Sequence, residues 1–237
     1  MAVIEVNDLI KNYGTFEAVK GISFEVNEGE IFGLIGPNGA GKTTVLRVIS
    51  TLLTITSGSI KIMNYDLQQK PNEVRKLISY LPEDAGAYKN LTGRKYLTFI
   101  AKFFDSKDTR EMVQKGIEIA DLDNRIDDKV DTYSKGMKRR LLVGRALMTE
   151  PKLAILDEPT SGLDVINAQE IRKIIKNTAK QGTTILLSSH NMLEVEYLCD
   201  NISLIAEGKI IEKGRPRTLM EKYGSVNIEE VFTKVVK

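Results

Sequence analysis

The chain has 237 residues, 42% of them hydrophobic and 28% charged, the balance of an ordinary globular protein able to bury a sizeable core. Its 34 basic and 32 acidic residues leave a net charge of +2, too even for a protein whose business is neutralising a phosphate backbone, so nucleic acid is not an expected partner. The single cysteine, Cys199, excludes an internal disulfide, and no segment reaches the roughly 18 unbroken apolar residues of a membrane helix, so a cytoplasmic chain is expected.

Residues 1–11 alternate apolar and polar side chains and carry Glu5 and Asp8, a strand pattern unlike the basic-then-apolar layout of a signal peptide. Strands are predicted over 3–9, 21–26 and 31–35, a helix over 42–50, and another strand over 59–63, with Asn27, Glu28 and Gly29 marking a turn. From about residue 91 the spacing becomes helical, through Tyr96, Leu97, Ile100, Phe103 and Phe104 and then Met112, Val113, Ile117, Ile119 and Ala120. This block runs to about 148, its last helix predicted over 138–148. Two apolar strands follow, 153–156 and 184–187, separated by a helical pattern over 167–180, and the tail forms one more short helix over 228–236. Alternating strands and helices imply parallel βαβ units and an α/β fold. With no repeat, low-complexity tract or linker in view, one domain spanning 1–237 is expected, with a core lobe of 1–88 and 149–237 and a helical lobe of about 89–148.

Gly36-Pro37-Asn38-Gly39-Ala40-Gly41-Lys42-Thr43 fits the phosphate-loop pattern at every defined position, between an apolar strand and a helix. Glycines let the chain curl so that successive N–H groups face one anion, and the helix start adds the positive end of its dipole. Lys42 can then reach the outer phosphates, and the Thr43 hydroxyl, followed by Thr44, can ligate Mg²⁺. A phosphate loop alone suits kinases, GTPases and many ATPases. The blander alternative is a glycine turn that only caps a helix.

Leu153-Ala154-Ile155-Leu156-Asp157-Glu158 is a buried strand that delivers two carboxylates at its C-terminal end, where ligands sit in open α/β sheets. Two solvated acids would be the plain reading. Beside a phosphate loop, Asp157 can hold the Mg²⁺ shell and Glu158 can accept or orient a proton of an attacking water.

With these elements in place the sequence closely resembles the nucleotide-binding subunits of ABC transporters along nearly its whole length. Tyr13 resembles the aromatic that stacks on adenine; the phosphate loop, Tyr133-Ser134-Lys135-Gly136-Met137, the Asp157-Glu158 strand, Ser161-Gly162-Leu163-Asp164 and His190 follow in the family's order. His190 is the only histidine and closes the run Leu186-Leu187-Ser188-Ser189. The resemblance implies a phosphate-loop NTPase cassette with a RecA-like mixed or parallel sheet, an N-terminal antiparallel β part and a helical insertion. It implies MgATP as cofactor and a second cassette packed head to tail. Ser134 and Gly136 of one copy would then meet the γ-phosphate held by the other, and Asp164 would lie at the same nucleotide interface.

Two segments depart from the family pattern. Lys135 and Met137 replace a glycine and a glutamine, and Tyr80-Leu81-Pro82-Glu83 offers Glu83 where a glutamine is usual. Lys135 could attract ATP or point to solvent, and Glu83 could help hold Mg²⁺. Both features resemble the multidrug and antibiotic exporter (ABC-2 type) subgroup, in which the cassette is a separate chain from an integral membrane permease. The resemblance thus implies peripheral attachment to the inner face of the cell membrane. Two other classes fit these residues less well. A soluble ATP switch of translation or DNA repair would usually carry two cassettes or a long coiled coil, and a non-catalytic sensor would lack Glu158 or His190. Lys138-Arg139-Arg140 reads as a solvated face or a lobe contact.

Overall fold

The computed structural model describes residues 1–104 and 108–236; residues 105–107, inside the expected helical block, lie outside them. In chain order the strands and helices are β1 (Ala2–Tyr13), β2 (Phe16–Asn27), β3 (Ile31–Ile35), α1 (Lys42–Ile49), β4 (Ser57–Ile62), β5 (Tyr65–Asp66), α2 (Pro71–Leu77), β6 (Ile78–Leu81), α3 (Gly93–Ala101) and α4 (Thr109–Ala120). Two short 3-10 turns, Asp123–Asp127 and Val130–Thr132, lead to α5 (Lys135–Leu147), β7 (Leu153–Asp157), α6 (Val165–Lys180), β8 (Thr184–Ser189), α7 (Met192–Leu198), β9 (Asn201–Ala206), β10 (Lys209–Gly214), α8 (Pro216–Tyr223) and α9 (Ile228–Val236).

The strands form two sheets. An antiparallel one has the order β2-β1-β4-β5, and a six-stranded one has the order β10-β9-β3-β8-β7-β6. In the second, β9, β3, β8, β7 and β6 pair in parallel and only β10 runs antiparallel. Its central strands are apolar on both faces because alternate side chains enter different cores. Phe32, Leu34, Leu153, Ile155 and Leu186 join the core shared with the antiparallel sheet and α1. Ile31, Ile35, Ala154, Leu156, Ile185 and Leu187 join the core shared with α3, α4 and α5. No helix among the described residues is long and apolar enough to cross a membrane.

Several expectations need correcting. The first strand runs to Tyr13, not residue 9, because β2 pairs with it down to Phe16. The helix predicted to start at residue 138 starts at Lys135, because the Ser134 side chain accepts the Met137 N–H and caps its first turn. The strands β6, β9 and β10 and the helices α2, α7 and α8 were not foreseen. Each is only four to eight residues long, too short to carry a clear period.

Candidate nucleotide site

β3 ends at Ile35 and the chain turns through 36–41 into α1. At Gly36 a side chain is excluded: an added Cβ would lie 2.0 Å from the Ile205 carbonyl oxygen on β9, so only glycine lets the loop leave the sheet at this point. The loop places Lys42 with its ammonium 2.7 Å from the Gly36 carbonyl, 3.1 Å from that of Pro37 and 3.4 Å from Glu158 Oε1. Lys42 is only 5% exposed. Pro37, Asn38 and Gly39 form the loop's outer turn, Ala40 is buried beneath it, and Thr44 lies in the first turn of α1.

The end of β7 brings the two acids against this loop. Asp157 Oδ1 accepts hydrogen bonds from Thr43 Oγ1 at 3.3 Å and Ser188 Oγ at 2.5 Å, and Tyr80 donates to Oδ2 at 3.4 Å. Burial, then the nearby Asp157 charge, pushes the Tyr80 phenol up to about 12, so it remains a donor at neutral pH. Glu158 lies between two bases. Its Oε1 faces Lys42, and its Oε2 is 2.8 Å from His190 Nδ1. Glu158 is 5% exposed, with a φ of 47°, a left-handed backbone that costs a residue with a side chain roughly 1–2 kcal/mol. Its N–H donates to Ser188 Oγ at 3.0 Å. His190, Glu158, Ser161 and Gly162 line a cleft of about 210 Å³.

The oxygens of Thr43 and Asp157 suit a hard divalent cation. Among the described residues there is no cluster of three or more His, Cys, Asp or Glu able to hold a metal by itself. An ion here would complete its shell with phosphate oxygens and water, as Mg²⁺ commonly does.

The remaining sequence-predicted residues sit apart from this cluster. Tyr13 is 45% exposed at the tip of the β1–β2 hairpin, with Lys11 Nζ 5.4 Å from its ring centre. Ser134 caps α5, and Gly136 is buried in its first turn against the side-chain amide of Asn167. The Lys135 ammonium lies over Gly162. Asp164 caps α6, accepting from the backbone and side-chain nitrogens of Asn167 at 2.9 and 2.6 Å, and these bonds hold its carboxyl below the usual range. Glu83 Oε1 accepts from Ser161 Oγ at 3.0 Å. Gly136 and Asn167 bring the starts of α5 and α6 together, and no described hydrogen bond joins Ser134 or Asp164 to the loop 36–43. Sequence reasoning missed Ser188 and Tyr80. The signal for Ser188 was a polar pair closing an apolar strand; Tyr80 offered none, since its role depends on β6 pairing with β7.

The family model described as ABC transporter matches residues 19–161. The chain is 36% identical over 228 residues to the linearmycin resistance ATP-binding protein LnrL of Bacillus subtilis, covering 95% of this chain and 73% of that protein. It is 39% identical to the bacitracin transport ATP-binding protein BcrA of Bacillus licheniformis, over 89% of this chain and 69% of the relative. A solved ATP-binding subunit of an ABC transporter superposes with a TM-score of 0.87 at 29% identity, covering 99% of this chain and 100% of the other.

Proposed function

The chain belongs to the ABC transporter family as an ATP-binding and ATP-hydrolysing subunit, and we propose that it drives an exporter through the site built on residues 36–43, Asp157 and Glu158. Relatives named for bacitracin transport, linearmycin resistance and Nod factor export support the direction. The triphosphate lies in the loop 36–43, its outer phosphates met by Lys42 and by inward N–H groups. Thr43 and Asp157 would hold Mg²⁺, which would supply charge neutralisation at the phosphates. Glu158 takes or orients a proton of the attacking water, and His190, in contact with its other oxygen, fixes its orientation. Tyr13 would stack on the base, and Glu83 would help hold the cation.

Two copies close head to tail, so that Ser134 and Gly136 at the start of α5 meet the γ-phosphate held by the other copy, with Asp164 beside them. An integral membrane permease holds the pair at the inner face of the cell membrane. The observation that carries this reading is Glu158 held between Lys42 and His190 at the end of β7. Glu158→Gln is expected to keep MgATP binding, to trap an ATP-bound dimer and to lower turnover by roughly 10²–10⁴-fold. Hydrolysis at the unmodified rate would remove Glu158 from the mechanism. Failure to copurify with a multi-span membrane protein would remove the permease.

A further inference from the structure

Arg139 lies on the first turns of α5, is only 8% exposed, and spends all of its hydrogen-bonding capacity on backbone carbonyls. Its Nε donates to Pro159 at 2.7 Å, Nη2 to Asp157 at 3.0 Å and Glu158 at 2.7 Å, and Nη1 to Pro82 at 3.3 Å and Glu83 at 3.1 Å. A guanidinium has five N–H donors in a fixed planar fork, and here each one has its own carbonyl. Burial holds the guanidinium below its ordinary range, against the pull of the charges on Glu83, Asp157 and Glu158.

Burying a cation is costly, and a neutral side chain of similar length could fill this space. What the charge provides is a rigid junction of three segments: the helix that begins at Ser134, the turn after β7 that carries Glu158, and the loop that carries Glu83. The junction falls where the backbone most needs support, since Glu158 has a φ of 47°. Left-handed residues with side chains persist only where their surroundings over-determine them. With Ser188 on its N–H and Arg139 on its carbonyl, Glu158 is fixed from both sides.

We propose that Arg139 is a positioning residue for hydrolysis, tying the start of α5 to the backbone of Glu158 so that the carboxylate is aimed only when α5 is correctly docked. This rests on the reading of Glu158 as the residue that directs water. The hydrogen bonds of Arg139 reach neither the loop 36–43 nor the Asp157 carboxylate, so its loss is expected to free the backbone of 157–159 while the bonds from Thr43 and Ser188 to the Asp157 side chain remain.

The test is Arg139→Gln in the full chain, with MgATP binding, steady-state hydrolysis and the ATP-dependent dimer measured together. Turnover is expected to fall about 10–100-fold, KM for ATP to stay within about twofold, and the ATP-bound dimer to accumulate as it does for Glu158→Gln. Arg139→Lys, which keeps the charge but not the fork, is expected to recover part of the rate, and it serves as the informative variant if the glutamine form fails to fold. Unchanged turnover in both variants overturns the proposal, and so does a rise in KM that matches the loss in rate. Normal hydrolysis by Glu158→Gln would instead refute the catalytic reading, a result separable from a normal rate in the Arg139 variants.

Discussion

At the residue scale the two carboxylates of the site are held differently: Glu158 faces Lys42 and His190, whereas Asp157 is held by the uncharged hydroxyls of Thr43, Ser188 and Tyr80. Ser188 is fully buried and makes two bonds at once, donating to Asp157 Oδ1 and accepting from the Glu158 N–H. Ser188→Ala leaves both partners short of a hydrogen bond in a dry environment and is expected to cost roughly 1–3 kcal/mol, read as a lower urea midpoint. Because Asp157 also loses the hydroxyl that orients it toward Thr43, the Mg²⁺ concentration for half-maximal hydrolysis should rise roughly 10–100-fold. A shifted urea midpoint without a shifted Mg²⁺ requirement would limit Ser188 to stability. The sequence displayed Lys42, Thr43, Asp157, Glu158 and His190 because each closes a local pattern whose spacing has a chemical cause. It did not display Ser188, Tyr80 or Arg139. Their partners are 31, 77 and up to 57 positions away, and only the sheet register and the docking of α5 bring them together.

At the element scale, long apolar strands and amphipathic helices were legible, whereas short segments whose burial comes from neighbours were not. β6 is four residues with three of them half-buried, so it pairs beside β7 without an apolar signature of its own. The helical block depends on close approach between α4 and α5. An added Cβ at Gly144 would lie 2.5 Å from the Gly116 carbonyl oxygen and 3.2 Å from Ala120 Cβ, so the two helices meet almost backbone to backbone. Gly144→Ala therefore trades a gain in helix propensity for overpacking, which costs typically about 1–3 kcal/mol and exceeds the roughly 1 kcal/mol gained. A lower midpoint in urea is expected, with turnover per folded molecule within twofold of normal, because Gly144 lies more than two turns along α5 from Ser134. An unchanged midpoint would mean that α4 moves aside at little cost.

At the scale of the whole molecule, the six-stranded sheet separates two cores yet joins them, because each central strand contributes side chains to both. The loop 36–43 lies at this junction: it leaves β3, touches β9 through Gly36, and reaches β7 through Lys42 and Thr43. A ligand bound there links elements that belong to different faces of the sheet, so its binding energy appears as stability of the entire chain. For a ligand that binds only the folded state, a hundredfold excess over Kd adds about 2.7 kcal/mol. At this chain length each kcal/mol moves Tm by roughly 2–4 °C, so saturating MgATP should raise Tm by roughly 5–11 °C. Lys42→Ala removes the only side-chain cation that the loop itself offers the phosphates, and in that variant the increment should vanish. If the variant kept the full shift, the stabilising nucleotide would be bound somewhere other than this loop.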